Sequence, residues 1–185
     1  MIPLNPMDMT GRRVLVTGAS SGIGRETAIL LGNLGAELIL AGRNQERLQE
    51  TFDQLPAGQH RFVTVELDQF ELIPDWLKTV AGESGPIDGL VHAAGIQFLQ
   101  PIRILDAQKT RQLWDINIGS ALGLAKGFRV RKVHAEPSSI VFISSVVGLV
   151  GEPATAAYSS SKGAVIALTR SLALELARDS IRVNC

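Results

Sequence analysis

This 185-residue chain has only one cysteine and no net charge, because 18 Lys and Arg balance 18 Asp and Glu. A single cysteine, Cys185, excludes an internal disulfide framework and a cysteine-rich zinc site. We therefore expect a reducing, cytoplasmic compartment and no metal. Zero net charge removes the electrostatic footprint that nucleic-acid-binding proteins usually show, so no nucleic-acid partner is expected.

Long apolar runs are missing as well. No uncharged apolar stretch approaches the ~20 residues that span a bilayer, so no membrane partner is expected. Residues 1–6 lack a basic patch followed by an apolar run, which predicts that no signal peptide is present. Together these absences predict a soluble globular chain.

Short β-branched runs alternate with longer helical patterns along the whole chain. Strands this apolar must be covered on both faces, which is typical of a parallel sheet. The sequence therefore predicts a single α/β domain over 1–185, a doubly wound parallel sheet (Rossmann fold) with helices on both faces. The expected strands are 13–17, 37–41, 61–66, 87–92, 139–144 and 181–184. The expected helices are 23–34, 45–55, 70–81, 106–133 (which allows a break near 117–119) and 157–178.

A glycine-rich turn follows the first predicted strand and opens a helix. Its spacing is G-x-x-x-G-x-G rather than the commoner G-x-G-x-x-G. Glycines let the backbone approach a pyrophosphate, whose charge meets the free N–H groups of the helix start. A glycine-rich turn that binds nothing is the alternative. We expect cofactor contacts from Gly18, Ser20, Ser21, Gly22, Ile23 and Gly24.

The end of the second predicted strand favours NADP over NAD. An NAD site normally carries a carboxylate there, about 20 residues beyond the glycines, to bind the ribose 2′-hydroxyl. This chain has Arg43 instead, and the first acid, Glu46, lies on the following helix. A guanidinium suits a 2′-phosphate, although a solvated arginine at a helix entry is also common.

The single tyrosine, Tyr158, has a lysine, Lys162, four residues further on. On a helix this spacing puts both side chains on one face. An ammonium near a phenol favours the phenolate, which fits the tyrosine for proton transfer to a carbonyl or from an alcohol. A half-buried tyrosine beside a surface lysine is the ordinary alternative.

Three further polar residues strengthen that interpretation. Ser144 and Ser145 end the fifth predicted strand, at the sheet edge where α/β proteins bind ligands. Asn117 falls mid-helix, where asparagine is unfavourable, so a local bend with a water held by its side chain is one explanation and a surface position is another.

In combination these motifs resemble the short-chain dehydrogenases/reductases, in the compact single-domain branch, over essentially the whole chain. The chain looks most like 3-oxoacyl-[acyl-carrier-protein] reductases and related NADP-dependent ketoreductases. The resemblance implies Tyr158 as the acid/base, Ser145 polarising the carbonyl, and Asn117 anchoring a relay water. It implies that Lys162 binds the nicotinamide ribose and favours the phenolate, and that Tyr158 as well as Lys162 contacts the cofactor. It also implies that Asp68 contacts the adenine.

The chain departs from the family pattern in two places. His92-Ala93-Ala94-Gly95 replaces the usual Asn-Asn-Ala-Gly or Asn-Ala-Ala-Gly, and His92, Ala94 and Gly95 are expected beside the cofactor. For the His92 side chain, hydrogen bonding to neighbouring strands is favoured over a second acid/base. The family's Pro-Gly loop, mobile substrate lobe and final strand do not follow Asn184, so the domain is expected to be truncated.

The resemblance implies an oxidoreductase that transfers hydride between NADP(H) and a small or acyl-carrier-bound carbonyl, assembled as a homodimer or homotetramer. A non-catalytic nucleotide-binding protein or inactive fragment is the alternative. A sugar epimerase or dehydratase is disfavoured by the glycine spacing and by Arg43. A basic group at Arg129, Arg131, Lys132 and His134 suits an acidic carrier protein, but cations near a helix C-terminus also simply complement its dipole.

Overall fold

The computed structural model describes residues 5–185, so most of the segment on which the signal-peptide prediction rests lies outside the described residues. Six parallel strands form one sheet in the order β3-β2-β1-β4-β5-β6. This is the order of a doubly wound sheet, and the predicted fold class is confirmed. The strands are β1 (Arg13–Thr17), β2 (Glu37–Gly42), β3 (Arg61–Thr64), β4 (Ile87–His92), β5 (His134–Phe142) and β6 (Ile181–Asn184).

Helices cover both faces of this sheet. Two separate apolar clusters result, one containing Ala28 and Leu48 and the other containing Leu77, Leu124 and Val165. The helices are α1 (Gly22–Asn33), α2 (Gln45–Phe52), α3 (Ile73–Ser84), α4 (Ala107–Trp114), α5 (Ser120–Phe128), α6 (Val147–Val150) and α7 (Ala156–Leu176). In the described part of the chain, no helix is long and apolar enough to cross a membrane.

The boundaries of β1, β4 and β6 agree with the prediction, and those of β2, α1 and α7 differ by one or two residues. Strand β3 ends at Thr64 and helix α2 at Phe52, both earlier than predicted. Three further differences concern α3, β5 and the long helix. Helix α3 begins at Ile73 rather than at residue 70, with Pro74 in its first turn, where proline is favoured. Strand β5 begins at His134, earlier than predicted, and ends at Phe142. The long helix predicted over 106–133 is divided into α4 and α5, which a π-helical turn at Asp115–Gly119 joins. The second of them, α5, ends at Phe128.

The strand order reverses between β1 and β4, which both lie at the centre of the sheet. Thr17 pairs with His92 at the last position of the two strands. The loops after β1 and β4 therefore diverge from this point. Open α/β sheets bind their ligands in the crevice that such a divergence leaves.

Candidate active site

A cleft of about 740 Å³ lies at this carboxyl edge of the sheet. Its volume is within the range of small-molecule sites, roughly 300–1,000 Å³. It is lined by the loops after β1, β2, β3 and β4, the last residue of β2 and the first turns of α1 and α2. One residue of α4 and one of the π-helical turn complete the lining. The lining residues are Gly18, Ser20, Ser21, Gly22, Ile23, Gly24, Gly42, Arg43, Asn44, Arg47, Val65, Glu66, Leu67, Asp68, Ala93, Ala94, Gly95, Ile96, Gln112 and Ile116.

The glycine-rich turn forms the floor of the cleft. Gly18 has a φ of +70°, and a Cβ built on it would lie 2.6 Å from the backbone nitrogen of Ala94, so the two loops touch through backbone alone. Gly22, at a φ of +52°, would point a Cβ into open space. The first amides of a helix lack intrahelical acceptors. The amides of 22–24 at the start of α1 are therefore available to an anion in the cleft.

Two arginines line the β2 end of the cleft. Arg43, the predicted one, follows β2 directly and is exposed. Arg47 lies in the first turn of α2 and was not predicted. Asn44 caps this helix, since its side chain accepts a hydrogen bond of 2.9 Å from the Arg47 N–H. The cap fixes where α2 begins, and with it the position of the second guanidinium.

The residues predicted after β3 and β4 also lie along the cleft. Asp68 is exposed on one wall, and Ala94 and Gly95 form the opposite one. Gly95 marks the end of the cleft nearest to the predicted catalytic side chains. A Cβ at Gly95 would lie 3.1 Å from Asn117 Oδ1 and 3.6 Å from Lys162 Nζ.

Asn117 lies in the π-helical turn and is 1 % exposed. Its Oδ1 accepts a hydrogen bond of 2.8 Å from the Ile96 N–H, and its Nδ2 donates to the Ile96 carbonyl and to Ser161 Oγ, each at 3.0 Å. The asparagine thus joins the loop after β4 to α7. The surface alternative for Asn117 is wrong, and the break expected near 117–119 is present as the π-helical turn.

Tyr158 and Lys162 lie one turn apart on α7, with Lys162 Nζ 5.8 Å from the centre of the Tyr158 ring. Lys162 is only 7 % exposed, and its Nζ donates a hydrogen bond of 2.8 Å to the Ile143 carbonyl. Burial lowers the pKa of the Lys162 ammonium. A surface lysine beside the tyrosine is therefore excluded.

The two neighbouring serines differ in what they contact. Ser144 Oγ donates to the Lys162 carbonyl at 2.9 Å, which holds the loop after β5 against α7. Ser145 Oγ accepts only a long bond of 3.4 Å from the Val147 N–H and is half-buried. Its hydroxyl proton is therefore available to a ligand. The predicted role of Ser145, polarising a substrate carbonyl, needs such a free donor.

Three predicted cofactor residues do not line the cleft: Tyr158 and Lys162 lie on α7, and the third is His92. Its ring is 4 % exposed and does not line the cleft. Nδ1 lies 2.7 Å from Thr17 Oγ1, and Nε2 lies 2.8 Å from Ser120 Oγ. Burial, with a smaller contribution from Lys162, lowers the pKa of His92 to about 3. The ring therefore hydrogen-bonds to neighbouring elements, the role favoured over a second acid/base, and the cofactor contact expected at His92 is left to its backbone.

Sequence reasoning missed Arg47 and Ser161. The signal for Arg47 was its place three residues after a capping asparagine, within the first turn of a helix that starts at the cleft. Ser161 accepts from Asn117 Nδ2 and donates to the Tyr158 carbonyl at 2.7 Å. Its only signal was its position between the tyrosine and the lysine.

A doubly wound sheet in this strand order, with a glycine-rich turn at its switch point, defines a dinucleotide-binding α/β protein. The family model described as short chain dehydrogenase matches residues 12–185. The chain belongs to the short-chain dehydrogenase family.

Two similar curated proteins have names that state an activity. "Carbonyl reductase [NADPH] 2" of Sus scrofa is 36 % identical, over 96 % of this chain and 71 % of the relative. "Cyclopentanol dehydrogenase" of Comamonas sp. is 34 % identical, over 92 % of this chain and 69 % of the relative. A solved short chain dehydrogenase of Escherichia coli complexed with NADPH superposes with a TM-score of 0.89 at 30 % identity, covering 98 % of this chain and 78 % of that one.

Proposed function

We propose that this protein is an oxidoreductase that transfers hydride between NADP(H) and a carbonyl or alcohol. The observation that carries the proposal is the continuity of the cleft. Arg43 and Arg47 stand at one end, the glycine-rich turn lies along the floor, and Gly95 at the other end adjoins Lys162 and Asn117. A dinucleotide needs these features in this order.

The donors along the cleft fit NADP better than NAD. Two guanidiniums at the end of β2 suit a 2′-phosphate, and Arg43 stands where an NAD site would carry a carboxylate. The acids in this region lie elsewhere, Glu46 on α2 and Glu66 and Asp68 after β3. The amides of 22–24 and the Ser20 and Ser21 hydroxyls suit the pyrophosphate. The names of a relative and of a complexed structure, which specify NADPH, add support.

The cofactor supplies the hydride when bound, and the side chains beyond Gly95 handle the proton. Tyr158 O–H donates a proton to the carbonyl oxygen during reduction and takes one from the alcohol during oxidation. Ser145 O–H holds that oxygen beside the phenol. Lys162 keeps a positive charge next to the phenol and binds the nicotinamide ribose.

Asn117 serves the same proton path from its buried position. With both its amide atoms bonded to Ile96 and Ser161, the side chain is rigid. We propose that it fixes the Ile96 backbone at the end of the cleft and anchors a water that connects Lys162 to solvent.

The substrate we propose is a ketone, with a 3-oxoacyl thioester as one candidate. Exposed apolar side chains on the loop after β4 and around α6 support an apolar substrate: Leu99, Ile102, Ile104, Val146, Leu149 and Val150. Docking of an acidic carrier has weaker support. In the basic group, Arg129 already pairs with Asp179 at 2.7 Å, and His134 donates to the Phe128 carbonyl at 2.9 Å.

We further propose that 1–185 folds as one nucleotide-binding domain and works in the cytoplasm. We also propose that the protein assembles into a homodimer or homotetramer through helices α4, α5 and α7. Trp114, Leu122 and Leu174 support the assembly, because these large apolar side chains are exposed on α4, α5 and α7. Size measurement in solution tests it.

The test of the function is NADPH consumption by the purified protein with a panel of ketones and a 3-oxoacyl thioester. We expect turnover with NADPH, and a much lower rate when NADH replaces it. Whether the 3-oxoacyl thioester is reduced decides if such thioesters are among the substrates. Nucleotide binding without turnover of any member would instead support the non-catalytic alternative.

A further inference from the structure

The His92 ring bridges three elements of the fold. Thr17 is the last residue of β1, His92 the last of β4, and Ser120 the first of α5. Thr17 and Ser120 are both fully buried, and the ring makes one hydrogen bond to each of their hydroxyls. The bridge therefore passes through the point where the strand order reverses.

The hydrogen bonds fix which nitrogen carries the proton. Ser120 Oγ donates its single proton to the Ile116 carbonyl, so it can only accept from His92. Nε2 is then the protonated nitrogen, and Nδ1 accepts from the Thr17 hydroxyl. All three bonds are satisfied together by the neutral Nε2–H ring. The result is a directed chain from Thr17 through His92 and Ser120 to Ile116.

Both ends of this chain touch the proposed site. Thr17 immediately precedes Gly18, whose Cα approaches the backbone of Ala94 so closely that a side chain would not fit. At the other end, Ile116 lines the cleft and immediately precedes Asn117 in the π-helical turn. The chain thus joins the turn proposed to hold the pyrophosphate to the turn that holds Asn117.

We propose that His92 is a positioning residue, which fixes the glycine-rich turn relative to the π-helical turn of Asn117. The proposal rests on the proposed function. The ring itself touches neither cofactor nor substrate, since it lies behind the cleft. Its Thr17 bond acts on cofactor binding, and its Ser120 bond acts on the catalytic end through Ile116 and Asn117.

Separate variants remove the two bonds. Thr17→Val keeps the shape of the side chain and removes the donor to Nδ1, and we expect the NADPH Kd to rise about tenfold with little change in kcat. Ser120→Ala removes the acceptor for Nε2–H, and we expect kcat to fall about tenfold with the NADPH Kd within about twofold of the parent.

Variants of the ring itself give the matching pattern. His92→Asn places an amide oxygen near the Nδ1 position and should retain NADPH binding better than kcat, whereas His92→Gln places an amide nitrogen near the Nε2 position and should do the reverse. His134→Gln is the control, with both constants unchanged. Equal constants in the parent and in a folded His92→Leu protein would overturn the proposal.

The tautomer provides a measurement that needs neither a variant nor turnover. In the ¹⁵N-labelled parent protein, the His92 ring nitrogens should show the Nε2–H neutral form at neutral pH. A protonated ring or the Nδ1–H form would overturn the proposal, because the chain of donors would then be broken. If this signature is present but NADPH neither binds nor reacts, the proposed function fails while the bridge itself remains.

Discussion

At the scale of single residues, Arg43 and Arg47 decide the choice of cofactor in this account. Both line the same end of the cleft, and ion pairs recorded among the described residues involve neither. Their charge is therefore available to a 2′-phosphate.

Replacing either arginine should weaken NADPH binding selectively. We expect Arg43→Ala and Arg47→Ala each to raise the KM for NADPH about 10- to 100-fold, the usual loss for a charge-assisted hydrogen bond, and to change the KM for NADH little. Steady-state kinetics with both cofactors measures this, with Arg111→Ala on exposed α4 as the control. Equal losses for the two cofactors would contradict the assignment.

The backbone contact at Gly18 predicts a large loss of stability on adding one methyl group. Gly18→Ala forces an alanine to a φ of +70° and against the backbone of Ala94, so we expect the free energy of unfolding to fall by about 2–4 kcal/mol. Gly82→Ala is the matched control, because a Cβ there meets nothing within 4 Å on α3 and should stabilise the protein by about 0.5–1 kcal/mol. Urea unfolding of both variants distinguishes strain at Gly18 from a general effect of alanine. Equal unfolding midpoints for the two variants would contradict the predicted strain.

Single residues could be predicted from the sequence where the neighbours that define their role are close in the chain. The positions of Gly18 and Arg43 follow from the strand immediately before each, so both were found. His92 was placed beside the cofactor because it begins the segment His92-Ala93-Ala94-Gly95, which takes the place of the family motif after the fourth strand. Its own partners, Thr17 and Ser120, lie 75 and 28 residues away, and the sequence gives no sign of that pairing.

At the scale of elements, helix α4 leads into the π-helical turn, and its start is fixed by one side chain. Asp106 accepts a hydrogen bond of 2.8 Å from the Lys109 N–H. We expect Asp106→Ala to lower the free energy of unfolding by about 1 kcal/mol, while Asp106→Asn keeps an acceptor and most of the stability. Thermal unfolding of the two variants measures the cap, and a loss shared equally by both would show that the oxygen is not what matters.

The elements themselves were predictable where a short apolar run was bounded by turn residues, as in β1, β4 and β6. The division of the long helix was visible only as an asparagine and a glycine in an apolar pattern, which does not reveal a π-helical turn. Helix α6, at Val147–Val150, was not predicted because four residues are too few to show a helical period. Its packing against α7, where a Cβ on Gly148 would lie 2.8 Å from the Gly163 nitrogen, is a tertiary contact.

At the scale of the whole molecule, His92 predicts how stability depends on pH. Its pKa is 6.5 in the unfolded chain and about 3 when buried, so below pH 6.5 the unfolded state binds more protons than the folded state. Stability from the neutral ring is therefore fully present above pH 6.5 and falls as pH drops towards 3. The slope approaches about 1.4 kcal/mol per pH unit for one proton.

Comparison with His92→Asn isolates this contribution. The difference in unfolding free energy between the parent and the variant should be constant above pH 6.5 and shrink steadily below it. Other carboxyls with lowered pKa, such as those of Asp75 and Asp179, also cost stability in acid, but they do so equally in both proteins. A difference that is independent of pH would mean that the ring is not buried in its neutral form.

The proposed function depends above all on proton transfer through Tyr158 at the end of the cleft beside Gly95. The most direct measurement is the rate of NADPH-dependent ketone reduction by Tyr158→Phe, with the NADPH Kd measured on the same preparation. We predict that kcat falls by about 10²–10⁴ while NADPH binding changes little, because the variant keeps the ring and loses only the hydroxyl that exchanges a proton with the substrate. Undiminished turnover in the phenylalanine variant would contradict it.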